Sequence, residues 1–251
     1  MKKAGLPCII LMAVFILCVI PGCTQNKQEE ITSTQEQAVP STQNAAGQET
    51  SAELPGDVIT FGAYEQDNNA ANGKEPIVWL VLVEENGKKL LLAEEILDCI
   101  PYNDSFGEVT WETCSLRKWL NGEFLNTAFS ADEKTEIAET ALINSSNKNT
   151  STPGGSDTVD SVFAVSYDEL RTHMLNPELR LTAGTEYAKS KGLKISDQGG
   201  SLGNSVWWLR SPGYNQSTAW TVGHDGDYLR GGSYNVNSSV VGVRPALWVT
   251  A

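Results

Sequence analysis

Between Val206 and Val249 three apolar runs, rich in Val and Trp, alternate with stretches of Gly, Asn, Ser and Asp. The first is Val206-Trp207-Trp208-Leu209-Arg210-Ser211-Pro212-Gly213, the second centres on Leu229 to Tyr234, and the last is Val240-Val241-Gly242-Val243-Arg244-Pro245-Ala246-Leu247-Trp248-Val249. Each run is too short for a helix and is bounded by residues that turns require, so each reads as a buried strand. Such a segment commits the chain to a sheet core with wide polar loops between strands.

Upstream segments agree. Gly56 to Gly62 reads as a short strand, and Pro76 to Val83 with Leu90 to Ala93 as a hairpin turning at Asn86-Gly87, the strongest short-range hairpin signal. Val78, Leu80 and Leu82 alternate with Trp79, Val81 and Val83, so both faces of that strand are expected to be covered. Periodicity then changes. Leu116, Trp119 and Leu120, continued by Phe124, mark one face of a helix over Trp111 to Asn121, with Gly122 expected to break or kink it. Ser130-Ala131-Asp132-Glu133 and Ser166-Tyr167-Asp168-Glu169 are capping boxes, each opening a short helix. Val162 to Val165 reads as a brief strand, and Thr182 to Lys191 as a third short helix ended by Gly192. Asn144 to Asp157 and Ile195 to Asn204 read as loops, the former long enough to be mobile and to govern access to a site. The expected class is α+β, with small antiparallel sheets, short helices and long loops.

The N-terminus reads as an address. Met1-Lys2-Lys3 is a positive start, Leu6 to Ile20 an apolar core too short for a confident membrane span, and Ile20-Pro21-Gly22-Cys23 a cleavage region. That region resembles the lipobox of bacterial lipoproteins, which implies lipidation at Cys23, a signal peptide over 1–22 and attachment to the outside of a bacterial cell membrane. A plain signal peptide with an incidental Cys23 is the bland alternative. Residues 23–55 hold no aromatic and few large aliphatics. They cannot bury enough apolar area to offset ordering entropy, so a disordered tether is expected, spanning roughly 30 Å on average. Residues 56–251 then form a single globular domain holding all seven Trp. The chain's net charge of −13 becomes −11 on that domain once the three Lys and five Glu before residue 56 are set aside. An acidic surface repels phosphate backbones, so nucleic acid is not an expected partner.

The runs Trp111-Glu112-Thr113-Cys114-Ser115-Leu116-Arg117-Lys118-Trp119-Leu120-Asn121, Trp207 to Gly213 and Gly242-Val243-Arg244-Pro245-Ala246-Leu247 together resemble an uncharacterised extracellular domain of Gram-positive surface proteins and lipoproteins. That resemblance implies no activity. Leu229-Arg230-Gly231-Gly232-Ser233-Tyr234 followed by Gly242-Val243-Arg244-Pro245 is similar to the ending of C-type-lectin-like domains of the sulfatase-modifying and retroelement-variable type. It implies a fold whose first and last strands pair, here Val58-Ile59 beside Val241 to Val243, and whose loop-rich face meets ligands. The calcium-binding lectin signatures and the C-terminal cysteines of the oxidase members are missing.

Candidate chemistry is sparse. His173 and His224 are the two histidines, far apart, so a site with several His ligands is excluded and a Ser-His-Asp triad has weak support. His224-Asp225-Gly226-Asp227 lacks the spaced carboxylates of a calcium loop and reads as a turn. No metal or other cofactor is expected. Cys99 and Cys114 either pair in a disulfide or stay as buried thiols. Trp207 and Trp208 must face opposite sides of their strand; one is core, and Trp208 is a candidate platform for a sugar ring or peptide side chain, with core for both the favoured reading. Arg210 and Arg244, in apolar strands, are each expected to satisfy a buried carboxylate. Further contact candidates are Asn215, Trp220, His224, Asp225, Tyr228, Tyr234, Asn235 and Asn237, which set amphipathic rings among adaptable polar groups, though ordinary loop residues fit equally. The expected function is non-catalytic binding of an extracellular glycan or protein. A carboxylate-dependent hydrolase of cell-wall or host glycans and a structural envelope module are the alternatives.

Overall fold

The computed structural model describes residues 56–228 and 233–250. The expected signal peptide and tether, with Cys23, and Leu229 to Gly232 lie outside the described residues. Among the described residues no helix is long and apolar enough to cross a membrane.

β1 (Val58–Tyr64), β2 (Glu75–Glu85) and β3 (Lys88–Ala93) form an antiparallel meander. Asn86 and Gly87 turn it with φ of 52° and 70°. Positive φ at both central residues makes a two-residue turn whose twist matches the flanking strands. β1 bulges between Thr60 and Ala63. Gly62 there has φ +69°, and a Cβ on it would lie 2.5 Å from the Phe129 ring. Only glycine meets both conditions. The Trp79 indole N–H donates to the Phe61 carbonyl within this bulge at 2.7 Å.

A continuous helical stretch follows: α1 (Ser115–Trp119), one π turn (Leu120–Phe124) and α2 (Leu125–Ala128). It starts at Ser115 rather than Trp111, because Cys114 caps it by accepting from the Arg117 N–H. Gly122 does not break it; the wider π turn carries the helix through. Leu116, Leu120 and Phe124 are buried as the periodicity predicted. The Phe124 ring meets Tyr64 and Phe129, and Phe129 meets Trp79, seating the helix on the meander.

α3 (Ala131–Glu136) and α4 (Tyr167–His173) both open with complete reciprocal capping boxes, Ser130 with Glu133 and Ser166 with Glu169. Between them lie the paired strands β4 (Thr140–Leu142) and β5 (Thr158–Asp160), then β6 (Val162–Phe163). The loop joining β4 to β5, expected to be mobile, is pinned. Asn147 donates to the Pro212 and Gly213 carbonyls at 3.0 and 2.9 Å, and Thr152 to the Tyr214 carbonyl at 2.9 Å. α5 (Glu186–Ser190) begins later than expected, since the Thr185 hydroxyl is its cap and Ala183 and Gly184 are taken by β-bridges. Gly192, at φ +102°, follows its end.

β7 (Trp207–Pro212), β8 (Thr218–Val222) and β9 (Ser233–Asn235) make a separate three-stranded sheet. β10 (Ala246–Thr250) leaves it and inserts between β3 and β6, giving the main sheet the order β1-β2-β3-β10-β6. This corrects the expected pairing of the first and last strands. Val241 to Val243 do not run beside β1; Gly242 bridges Trp207 and Val243 bridges Asp98. Pro245 has no N–H for a ladder, so the closing strand starts only at Ala246. The fold is a mixed α and β domain of small antiparallel sheets and short helices.

The motif residues hold these pieces together. Asp160, buried, accepts from the Trp111 indole at 2.9 Å, Thr158 at 2.9 Å and Arg117 at 2.6 Å. The Asn121 side chain donates to the Val162 carbonyl at 2.9 Å and accepts from the Ser161 N–H at 2.8 Å. Among the described residues Arg244 meets no carboxylate. Its guanidinium donates to the carbonyls of Ala93, Leu179 and Glu94 and lies 5.1 Å over the Trp207 ring. Burial draws its pKa down to about 9, with Glu94 pulling the other way. It therefore remains a cation at neutral pH, stapling three segments.

Candidate functional site

A cleft of about 410 Å³ opens on the domain, within the ~300–1,000 Å³ of small-ligand sites. Its lining comes from four places: Glu85, Asn86 and Lys88 at the β2–β3 tip; Glu139 to Leu142 on β4 and its approach; Glu169 on α4; and Trp248 on β10. Chain geometry explains each. The tight Asn-Gly turn projects Glu85 and Lys88 side by side, in register across the hairpin. Strand alternation buries Leu247 and Val249 but leaves Trp248 half-buried on the opposite face.

Glu169 is the fixed wall. Both of its oxygens accept from Arg210, Nη2 to Oε1 at 2.7 Å and Nη1 to Oε2, and Oε2 also accepts the Ser166 N–H at 2.7 Å. Burial alone would push its carboxyl up; the Arg210 charge and these hydrogen bonds outweigh it, and the net shift is downward. Glu169 is thus a permanently ionised, oriented acceptor and a poor proton donor at neutral pH. Glu139 differs. It is exposed at the mouth, and its side chain has no hydrogen bond or ion pair among the described residues. The cleft therefore combines one aromatic face, an anchored carboxylate, the two exposed carboxylates of Glu85 and Glu139, and the hydroxyl, amide and ammonium of Thr140, Asn86 and Lys88.

The residues expected from sequence lie elsewhere. Trp208 is fully buried, its indole donating to the Ile100 carbonyl at 3.0 Å, so it offers no platform. Trp220 is buried too, against Tyr167 at 4.8 Å, with its indole N–H on the Tyr228 carbonyl at 2.8 Å. Tyr228 is half-buried beneath Arg180, and Tyr234 packs edge-on to Trp208. His224 is half-buried and shares a hydrogen bond with Ser201 at 2.9 Å. Asn215, Asp225, Asn235 and Asn237 are exposed. Two of them serve their own turns: Asn215 accepts from Ser217, and Asp225 from the Asp227 N–H. Of the expected rings, Trp208 and Trp220 are core while Tyr228 and Tyr234 stay half-buried, so the exposed contact candidates are the polar ones.

Cys99 and Cys114 are separate free thiols, both buried. Cys99 donates to the Ser239 carbonyl at 3.3 Å, whereas Cys114 caps α1 and contacts the Trp111 carbonyl. Burial pushes each pKa up to about 12, so neither is a nucleophile at neutral pH. Glu65, Asp67 and Glu75 bring carboxylate oxygens within 4.8 Å of one another. These oxygens accept the loop's own amides, Asn69 N–H on Glu65 and on Asp67 and Gln66 N–H on Glu75. The cluster is accounted for as a turn.

Sequence reasoning missed the cleft because Glu85, Glu139, Glu169 and Trp248 are far apart in the chain. The one usable signal was Trp248 itself, a large ring out of phase with Leu247 and Val249.

A family described as "Domain of unknown function (DUF6273)" matches residues 86–251. No curated protein and no solved structure matches the chain.

Proposed function

The chain belongs to this family of domains of unknown function, and from that premise we propose that it is a non-catalytic binding module for an extracellular glycan, held at the outside of a bacterial cell membrane by a lipid on Cys23. The observation that carries the binding role is the cleft: about 410 Å³, open, floored by the half-buried Trp248 and rimmed by hydrogen-bonding groups. An aromatic face beside convergent acceptors and donors suits the apolar face and hydroxyls of a sugar ring. The pairing of Glu169 with Arg210 fits Glu169 as a fixed acceptor rather than an acid catalyst, because an acid catalyst needs a raised pKa and Glu169's is lowered. Anchorage rests on the Leu6 to Cys23 pattern. The reading of the scaffold as C-type-lectin-like rests on the Gly-Gly-Ser-Tyr and Gly-Val-Arg-Pro segments, and the sheet order departs from it by setting two strands between β1 and β10.

A glycan array probed with the purified chain tests the proposal, with Trp248→Ala as the paired control. Binding that falls at least about tenfold in Trp248→Ala, with an unchanged far-ultraviolet dichroism spectrum, is the expected result. A blank array, or equal binding by both proteins, would refute it.

A further inference from the structure

The ligand class follows from what each wall of the cleft can offer, and the step rests on the glycan-binding reading above. We propose that the cleft selects an amino sugar carrying a free ammonium group, in preference to neutral, N-acetylated or acidic sugars. Three carboxylates, Glu85, Glu139 and Glu169, line it against one lysine, Lys88. One of the three is answered within the protein: Glu169 is held by both terminal nitrogens of Arg210. Glu85, in register with Lys88 across the hairpin, and Glu139 are exposed, have no side-chain hydrogen bond or ion pair among the described residues, and share the lining with Trp248.

A carboxylate free on the rim of a cleft favours a cationic group and disfavours a carboxylate or sulfate. The half-buried indole of Trp248 requires that the cation be attached to something flat and partly apolar, as the face of a pyranose ring is. Thr140, Asn86 and the ionised Glu169 then supply one hydroxyl, one amide and a fixed acceptor for ring hydroxyls. Acetylation of the amine would remove its charge and place a methyl against Glu139, forfeiting the charge-assisted bond.

The test is isothermal titration calorimetry of the purified chain with tetraglucosamine, tetra-N-acetylglucosamine and tetralysine at low and moderate salt, repeated for Glu139→Gln and Trp248→Ala. Tetraglucosamine should bind at least about tenfold more tightly than its N-acetylated counterpart, a difference of ~1.4 kcal/mol. That preference should shrink with added salt and shrink likewise in Glu139→Gln. Both variants alter groups on the cleft surface, and Glu139 is exposed, so folding is not at issue for it. Equal binding of the two sugars, with Glu139→Gln unchanged, would overturn the ammonium preference while leaving the glycan reading intact. Tetralysine binding as tightly as tetraglucosamine, and indifferent to Trp248→Ala, would overturn the sugar assignment. Silence from all three probes, with a glycan from the array still displaced by Trp248→Ala, would overturn only the inference; silence with a blank array would remove the reading beneath it as well.

Discussion

Glu169→Gln is the substitution that most directly probes how this domain is held together. Gln is nearly isosteric and still serves as the third residue of a capping box, so the Ser166 end of α4 should survive. What changes is charge. Arg210 keeps only 3% of its side chain exposed, and its two terminal nitrogens lose their anionic partner. Removing one member of a buried pair costs ~3–5 kcal/mol because the other is left charged without compensation. Glu169 itself retains 25% exposure, so the lower end, about 3 kcal/mol, is the expected value at neutral pH. For a domain of this size that is a fall in Tm of roughly 6–12 °C. The pH dependence fixes the cause. Glu169's folded pKa lies below its ordinary 4.5, so its stabilisation is complete above that value and is lost as pH falls through the folded pKa. Urea denaturation should therefore show a wild-type advantage that is constant near neutrality and shrinks below pH 4.5. Replacing both residues by Met should cost less than Glu169→Gln alone. A Glu169→Gln protein within ~0.5 kcal/mol of wild type at neutral pH, or an advantage unchanged by acid, would refute this account.

Tyr64→Phe removes the hydroxyl that donates to the buried Asp98 at 2.7 Å. Burial already raises the Asp98 pKa against the pull of that hydroxyl and the Cys99 N–H, so its charged form is the penalised one. The substitution should cost ~1–3 kcal/mol and more at pH 8 than at pH 5, read by denaturant melts at both. Iodoacetamide without reductant should leave Cys99 and Cys114 unlabelled in the native protein and label both once it is denatured; an unlabelled denatured protein would mean a disulfide.

Local chemistry was legible wherever one short segment decides the outcome. Asn86-Gly87 gave the hairpin, and the two Ser-x-x-Glu boxes gave the starts of α3 and α4. Long-range choices were not. Nothing near Glu169 announces that Arg210 is its partner, and nothing in Val240 to Val249 says that Pro245 delays the strand until it can enter the main sheet. Period-2 alternation placed Trp207 and Trp208 on opposite faces, and both faces of β7 are covered, so both rings are core, the reading favoured over a Trp208 platform. Arg244 misled for a related reason. A buried guanidinium needs acceptors, and three backbone carbonyls serve as well as a carboxylate, yet carbonyls leave no trace in a sequence. The runs around Trp111, Trp207 and Arg244 turn out to be clamps of the scaffold, while most of the cleft is lined by residues outside them.

The insertion of β10 between β3 and β6 has a kinetic corollary. Lys88 ladders with Thr250, so the middle of the main sheet joins segments separated by most of the domain. Bringing such distant segments together costs loop-closure entropy before any contact offsets it, which makes for slow assembly. Until the closing strand arrives, β3 presents a bare row of amides and carbonyls, and a neighbouring polypeptide can take the vacant lane. Early clumping during refolding, relieved by a peptide copying Ala246 to Thr250, is the behaviour such an arrangement entails.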